Sequence, residues 1–135
     1  MILHEVLRLY PPAFILMRKV YEDMQLKELF IPEGTEIIIP LRMIHRDSSV
    51  LGEDAAEFNP ELFAGGVSEA TKGQLIYFPY GFGPRICIGQ NFALLEAKVV
   101  LSMILQRYSL HLSPTYAHAP YSVISTKPRH GANLI

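Results

Sequence analysis

The chain has 135 residues, 50% of them hydrophobic and 19% charged, with a net charge of −1. That balance describes a single globular domain and excludes both a disordered segment and the basic footprint of a nucleic-acid binder. One cysteine excludes an intramolecular disulfide framework or a CxxC zinc knuckle, and no run of about 18 apolar residues offers a membrane span.

Residues 1–10 read as an amphipathic helix stopped by Pro11 and Pro12, with Glu5 and Arg8 too early for a signal peptide. FILMRKV, from Phe14 to Val20, reads as an extended apolar run, and Met24 to Pro32 alternates. Glu33–Gly34 marks a turn before a β-branched strand, Thr35 to Ile39, and LRMIHRD suggests a short helix. Residues 47–75 lack periodicity and hold Gly52, Pro60, Gly65, Gly66 and Gly73, so an irregular meander is expected. A stretch of that length without structure inside a compact domain is usually either functional or holds elements the pattern does not show.

The strongest helix pattern spans Gln90 to Tyr108, with so few polar interruptions that burial on most sides is expected. YSLHL and YSVIST read as short strands, and KPRHG as a hairpin turn between SVIST and ANLI. The chain opens inside a helix pattern without a cap residue and stops in the strand-like GANLI, which suggests a segment of a larger protein.

The chemistry concentrates in FPYGFGPRICIGQNFALLEAKVV, residues 78–100. Cys87 precedes the long helix, whose unpaired N–H groups and positive end can stabilise a thiolate. Gly89 permits close approach of a flat partner, and Arg85 can grip a carboxylate. Single-thiolate ligation suits an iron with an open coordination position. The same residues admit other readings: a small buried cysteine among ordinary turn glycines, or a low-pKa nucleophile at a helix N-terminus, although no cysteine-protease signature surrounds Cys87.

YGFGPRICIG resembles the haem-binding loop F-x-x-G-x-R-x-C-x-G of the cytochrome P-450 haem-thiolate monooxygenases. Gly83, Arg85, Cys87 and Gly89 match it, and Tyr80 stands in place of phenylalanine. EVLR, from Glu5 to Arg8, is similar to the ExxR motif of that family's K helix. FNPELF, from Phe58 to Phe63, is similar to its meander motif F-x-P-E-R-F. CIGQNFALLEAK and YAHAPY resemble a plant clan that oxidises terpenoids and hormones.

The resemblance implies an α+β segment, the C-terminal part of the mainly α cytochrome P-450 fold. Its parts would be a K helix, short β strands, meander, cysteine loop, L helix and terminal β hairpin, as one partial domain over residues 1–135 without the distal half or membrane anchor. It implies haem b as cofactor, with Cys87 as axial iron ligand and Arg18 and Arg85 on the haem propionates. Tyr80, Gly83 and Gly89 would complete the haem-binding loop, and Glu5, Arg8, Pro60 and Phe63 would be structural. Ala13, Phe14, Ile15, Leu16, Met17, Ser122, Val123 and Ile124 would line a substrate pocket.

The implied reaction inserts one atom of O2 into a small hydrophobic organic substrate, with NADPH electrons delivered by a flavoprotein reductase. Lys72, Arg85 and Lys98 are candidates for the reductase-facing patch, with a solvated surface as the alternative. For a full-length relative the implied location is the cytosolic face of the endoplasmic reticulum membrane. The family's oxygen-activating I helix has no counterpart here, so an inactive remnant with weak or no haem binding is a second expectation, and a plain structural domain a third.

Leu62 replaces the meander arginine that completes a Glu–Arg–Arg network, which predicts a half-satisfied Glu5–Arg8 pair and weakened haem uptake. Tyr80 in place of phenylalanine reads as a tolerated aromatic exchange; a hydroxyl reaching the thiolate, the alternative, would withdraw electron density from it. His45 and Arg46 read as structural or surface residues, and His118 and His130 as solvated turn residues. No HxxxH or HExxH spacing involves the five histidines, and the spaced glycines do not follow a dinucleotide-binding order.

Overall fold

The computed structural model describes residues 1–123 and 125–135; Ile124 lies outside the described residues. Helix α1, Ile2–Leu9, carries Glu5 in its first turn and Arg8 in its last, the signs the helix dipole favours, and ends before the two prolines. Strand β1, Leu16–Lys19, pairs antiparallel with β4, Glu36–Ile39, with Leu16 opposite Ile39 and Arg18 opposite Ile37. Between them a second hairpin folds outward, β2, Met24–Leu26, against β3, Leu29–Ile31, and every residue from Tyr21 to Phe30 is exposed. The Glu33–Gly34 turn forms as expected: Gly34 sits at φ +83° and donates its N–H to the Val20 carbonyl.

Helix α2, Leu41–Ile44, realises the short helix expected from LRMIHRD. The meander has more order than its sequence suggests. It contains α3, Ser48–Leu51, capped by the Asp47 carboxylate, then a 3-10 turn over Pro60–Phe63, and α4, Val67–Ala70. Each is four residues long, too short to display a period. The core is small: Leu9, Val20, Ile31, Leu41, Val50, Phe63 and Ile76 are buried around the meander and α1, together with the polar Glu5, Arg8 and His45.

Helix α5, Gln90–Leu105, forms as expected, but none of its residues is buried. This corrects the expectation of burial on most sides. The helix is apolar nearly all round, the pattern of a helix inside a larger protein, and this chain does not cover it. The C-terminal pairing also differs from expectation. The hairpin joins β5, Pro120–Ser122, to β6, Thr126–Pro128, while the last residues return to YSLHL through paired backbone bonds between His111 and Ile135. KPRHG does turn the chain, but after β6, because Pro120 pairs with Pro128 and leaves ANLI to a different partner.

Candidate functional site

Two linked features make up the site, a buried charge clasp and an exposed cysteine loop. In the clasp, Arg8 Nε and Nη2 donate to the two oxygens of Glu5 at 2.8 and 2.7 Å, a bidentate pair on one helix face. Glu5 and Arg8 are 0% and 2% exposed, so their remaining hydrogen-bonding capacity must be met internally. It is met by main chain. Arg8 Nη1 donates to the carbonyls of His45, at 3.2 Å, and Ala55, while Nη2 donates to Glu57 O at 2.9 Å. The Asn59 N–H donates to Glu5 Oε1 at 2.7 Å.

This corrects the expectation of a half-satisfied pair. Leu62 supplies no charge, yet no buried side-chain polar atom of Glu5 or Arg8 is left without a partner among the described residues. Phe63, at the end of the Pro60 turn, is buried beside the ring of Tyr77, 5.1 Å between centroids. Pro60 starts that turn, as its fixed φ suits it to do.

His45 joins the clasp to the loop. It is fully buried, and its Nε2 accepts the Phe78 N–H at 3.1 Å. That bond places the imidazole proton on Nδ1. Burial lowers its pKa to about 4; the nearby main chain of Arg8 and Leu7 opposes that shift, and the Arg8 charge adds to it. Beside it, Tyr77 Oη donates to the His4 carbonyl at 3.2 Å and lies 3.0 Å from His4 Nδ1; burial pushes the Tyr77 phenol up and the His4 imidazole down.

From Phe78 the chain turns into the cysteine loop. Gly81 N–H donates to Phe78 O at 2.9 Å, and the Cys87 N–H returns to Tyr80 O at 2.9 Å. Gly81 is buried at φ +81°, and a Cβ there would sit 4.0 Å from Leu16 Cδ1, so strand β1 packs on the loop at this point. Leu16 and Arg18 share one face of β1, two residues apart, which turns Arg18 to the loop side of the strand; Met17 is on the other face and exposed. Gly83 opens the 3-10 turn Gly83–Arg85 at φ +74° with free space around it, a conformation that favours glycine.

Cys87 is a free, exposed thiol. Gly89 has an ordinary φ of −88°, and its place matters more than its conformation: a Cβ there would lie 3.9 Å from Cys87 Sγ. Gly89 is also the N-cap of α5 and offers no side-chain cap, so the first-turn N–H groups behind the cysteine lack a side-chain acceptor. Arg85 is exposed and takes no protein partner among the described residues. Phe82, Ile86 and Ile88 are exposed around the sulfur, Ile88 completely. A groove of about 300 Å³ runs beside the loop between α1 and α5, lined by His4, Leu7, Tyr80, Ile86 and Leu94 among others. An unpaired thiol, an uncapped helix end, an apolar rim and an unpaired guanidinium fit a flat apolar macrocycle with carboxylate arms.

Tyr80 does not hydrogen-bond the sulfur among the described residues. Burial pushes its phenol up, and the Cys87 charge adds to that. Lys72, a candidate for the reductase-facing patch or for a solvated surface, is exposed and donates Nζ to the Val50 carbonyl at 2.5 Å. Lys98 is exposed. Of the pocket-lining stretches, Ala13 to Leu16 are half-buried, and Thr126 N–H donates to Pro12 O at 3.0 Å, which draws the β5–β6 hairpin to the segment after α1. Ser122 bonds Thr126 through their hydroxyls, Val123 is exposed, and the expectation for Ile124 lies outside the described residues. His118 is exposed, as expected of a turn residue, but is held between the Tyr10 and Tyr116 hydroxyls at 2.9 Å each.

His45 is the residue that sequence reasoning undervalued. Its signal was faint: a histidine between a short apolar helix and an Arg-Asp pair, with its partner 33 residues away.

Comparison with known proteins agrees with this geometry. The family model described as Cytochrome P450 matches residues 1–129. An 11-oxo-beta-amyrin 30-oxidase of Glycyrrhiza uralensis is 57% identical over all 135 residues, which cover 26% of that protein. Cytochrome P450 72A397 of Kalopanax septemlobus is also 57% identical, and Cytochrome P450 72A13 of Arabidopsis thaliana 54%, each over the whole chain and 26% of the relative. The chain therefore spans about a quarter of the length of these relatives. Among solved structures, the retinoic acid bound cyanobacterial CYP120A1 superposes with a TM-score of 0.86 at 29% identity, over 99% of this chain and 31% of that one.

Proposed function

The chain belongs to the cytochrome P450 family, and from that premise we propose that it is the haem-thiolate part of a monooxygenase inserting one atom of O2 into a small hydrophobic organic substrate. The observation that carries this reading is the exposed, unpaired Cys87 thiol, held by its own N–H to Tyr80 O and followed by an uncapped helix. Haem b, when bound, supplies oxygen-activating iron chemistry, and a thiolate ligand donates electron density to it.

The residues of this chain have separate tasks. Cys87 provides the ligand sulfur, and the first-turn N–H groups of α5, which have no side-chain cap, favour its anionic form. Arg85, and Arg18 on the loop-facing side of β1, bind the carboxylate arms of the macrocycle. Phe82, Ile86 and Ile88 offer its plane an apolar bed. Ala13 to Met17, with Ser122 and Val123, contribute to the substrate pocket. The plant relatives support a terpenoid substrate, as the oxidase of Glycyrrhiza uralensis carries an amyrin in its name.

NADPH electrons would arrive through a flavoprotein reductase, with Arg85 and Lys98 as exposed cations on the side it would approach. For a full-length protein carrying this segment the location would be the cytosolic face of the endoplasmic reticulum membrane. Among the described residues no helix is long and apolar enough to cross a membrane.

A second reading, a haem-thiolate remnant with weak or no haem uptake, is favoured by one observation: none of the described residues from 82 to 135 is buried. Carbon monoxide difference spectra decide between them. They would be recorded on the 135-residue chain and on a chimera in which this segment replaces the matching quarter of the Glycyrrhiza uralensis relative. A thiolate-type band in the chimera that disappears in Cys87→Ser supports the ligand role. The same band in the isolated chain rules out the remnant. A band that survives Cys87→Ser overturns the reading.

A further inference from the structure

We propose that His45 is a positioning residue for the cysteine loop, coupling the Glu5–Arg8 clasp to the placement of the Cys87 sulfur through a relay of main-chain hydrogen bonds. The inference rests on the ligand role of Cys87 given above and names a residue that controls it.

The relay is continuous. Arg8 Nη1 donates to the His45 carbonyl at 3.2 Å, so the clasp fixes the backbone from which the imidazole projects. His45 Nε2 then accepts the Phe78 N–H at 3.1 Å. The Phe78 carbonyl accepts the Gly81 N–H at 2.9 Å, which closes the first turn of the loop, and the Tyr80 carbonyl inside that turn accepts the Cys87 N–H at 2.9 Å. Three hydrogen bonds thus lead from the His45 ring to the cysteine backbone.

The ring has little freedom to move. It is fully buried, with the Tyr77 ring 5.5 Å away at 35° and the Phe78 ring 5.6 Å away at 86°. Its role is that of acceptor. A proton on Nε2 would face the Phe78 N–H donor to donor, and Nδ1 has no protein partner among the described residues. The site spends a buried polar atom to keep a neutral imidazole at this point, where an apolar side chain would pack without that cost. Holding Phe78 N–H is what the apolar side chain could not do.

Two variants of the chimera separate positioning from packing. His45→Phe keeps an aromatic ring and removes the acceptor; His45→Gln restores an acceptor on a flexible stem. Hydrogen exchange of the 78–87 segment, read by mass spectrometry, reports the relay without any need for haem. Losing one bond of this kind raises exchange about five- to tenfold. His45→Phe is expected to show that rise in residues 78–87 with α1 unchanged, together with a several-fold smaller thiolate-type fraction at equal haem content. His45→Gln should return both to near the parent values.

Unchanged exchange in His45→Phe would overturn the proposal. So would a rise shared equally by α1 that His45→Gln does not reverse, since that is general destabilisation. If His45→Phe fails to fold, His45→Gln decides: parent-like exchange upholds the acceptor role, and a lost thiolate fraction with loosened residues 78–87 overturns it. A chimera with the expected exchange pattern but no thiolate band would uphold the relay and refute the ligand role of Cys87.

Discussion

The two parts of this chain differ in what they bury. Up to Gly81 the molecule buries polar groups: Glu5, Arg8 and a neutral His45 lie inside, and apart from His45 Nδ1 their side-chain polar atoms have close partners. From Phe82 onward it exposes oil: Phe92, Leu95, Val99, Met103 and Leu105 of α5 all face outward, as do Phe82 and Ile88 in the loop. The charges are buried because directed hydrogen bonds to nearby backbone satisfy them locally. The apolar helix is bare because hydrophobic burial needs area, and area has to come from other surfaces. The relatives, about four times as long, have that area to give. The first region meets the needs of its buried charges within this chain, whereas the second presents a face.

That contrast can be broken most severely at the clasp. Arg8→Ala would leave Glu5 buried without its bidentate partner and free the carbonyls of His45, Ala55 and Glu57. A loss of about 3–5 kcal/mol is expected, read as a shift in urea midpoint. A loss under about 1 kcal/mol would mean the clasp is solvated in solution and the first region is not the rigid part.

A second test uses pH. The unfolded chain takes up the His45 proton near 6.5, and the folded chain not until about 4. The folded pKa is lowered because the neutral form is preferred inside, so this contribution to stability is complete above about pH 6.5. It declines as pH falls through the interval and levels off below about 4. The decline amounts to about 3 kcal/mol at roughly 1.4 kcal/mol per pH unit. Arg8 and Glu5 on α1, Tyr77 beside the ring and Arg46 next in sequence are the charged or titratable groups around it, so the readout is the difference between the parent and His45→Gln. Parallel curves for the two proteins would show that His45 is not the titrating group.

The smallest expected effect sharpens the comparison. Leu62→Arg, which restores the missing meander arginine, should change stability by less than about 1 kcal/mol and leave haem uptake unaltered, because the donors and acceptors of the clasp are already matched. A clear rise in the thiolate-type band would show that main chain is an inferior substitute for the guanidinium.

Much of this was legible in the sequence, and the reasons differ by element. Glu5 and Arg8 at i and i+3, the β-branched run Ile37–Ile39, the Glu33–Gly34 turn and the glycine-flanked Cys87 all act through local rules, and local rules can be read from a string. The long helix was legible as a helix but not as an exposed one, because apolarity states what a surface prefers and not what covers it. The pairing of ANLI with YSLHL instead of its neighbour was hidden, since two short strands in one hairpin register leave the third to find its partner at a distance. The sufficiency of the clasp without an arginine at 62 was hidden more deeply. Its partners are peptide groups, which every residue type possesses, so no letter at 55, 57 or 59 announces them.

That choice of partners has an evolutionary consequence. Arg8 takes hold of the meander only by carbonyl oxygens, and Glu5 only by a peptide N–H. A fastening of this kind is blind to side-chain identity. Apart from the buried Ala55, the segment from 55 to 59 is thus free to drift in composition while its spacing stays fixed: a substitution at Glu57 leaves the carbonyl where it was, but the loss of one residue there would carry attachment points out of reach. The constraint on this part of the gene is one of reading length, not of vocabulary.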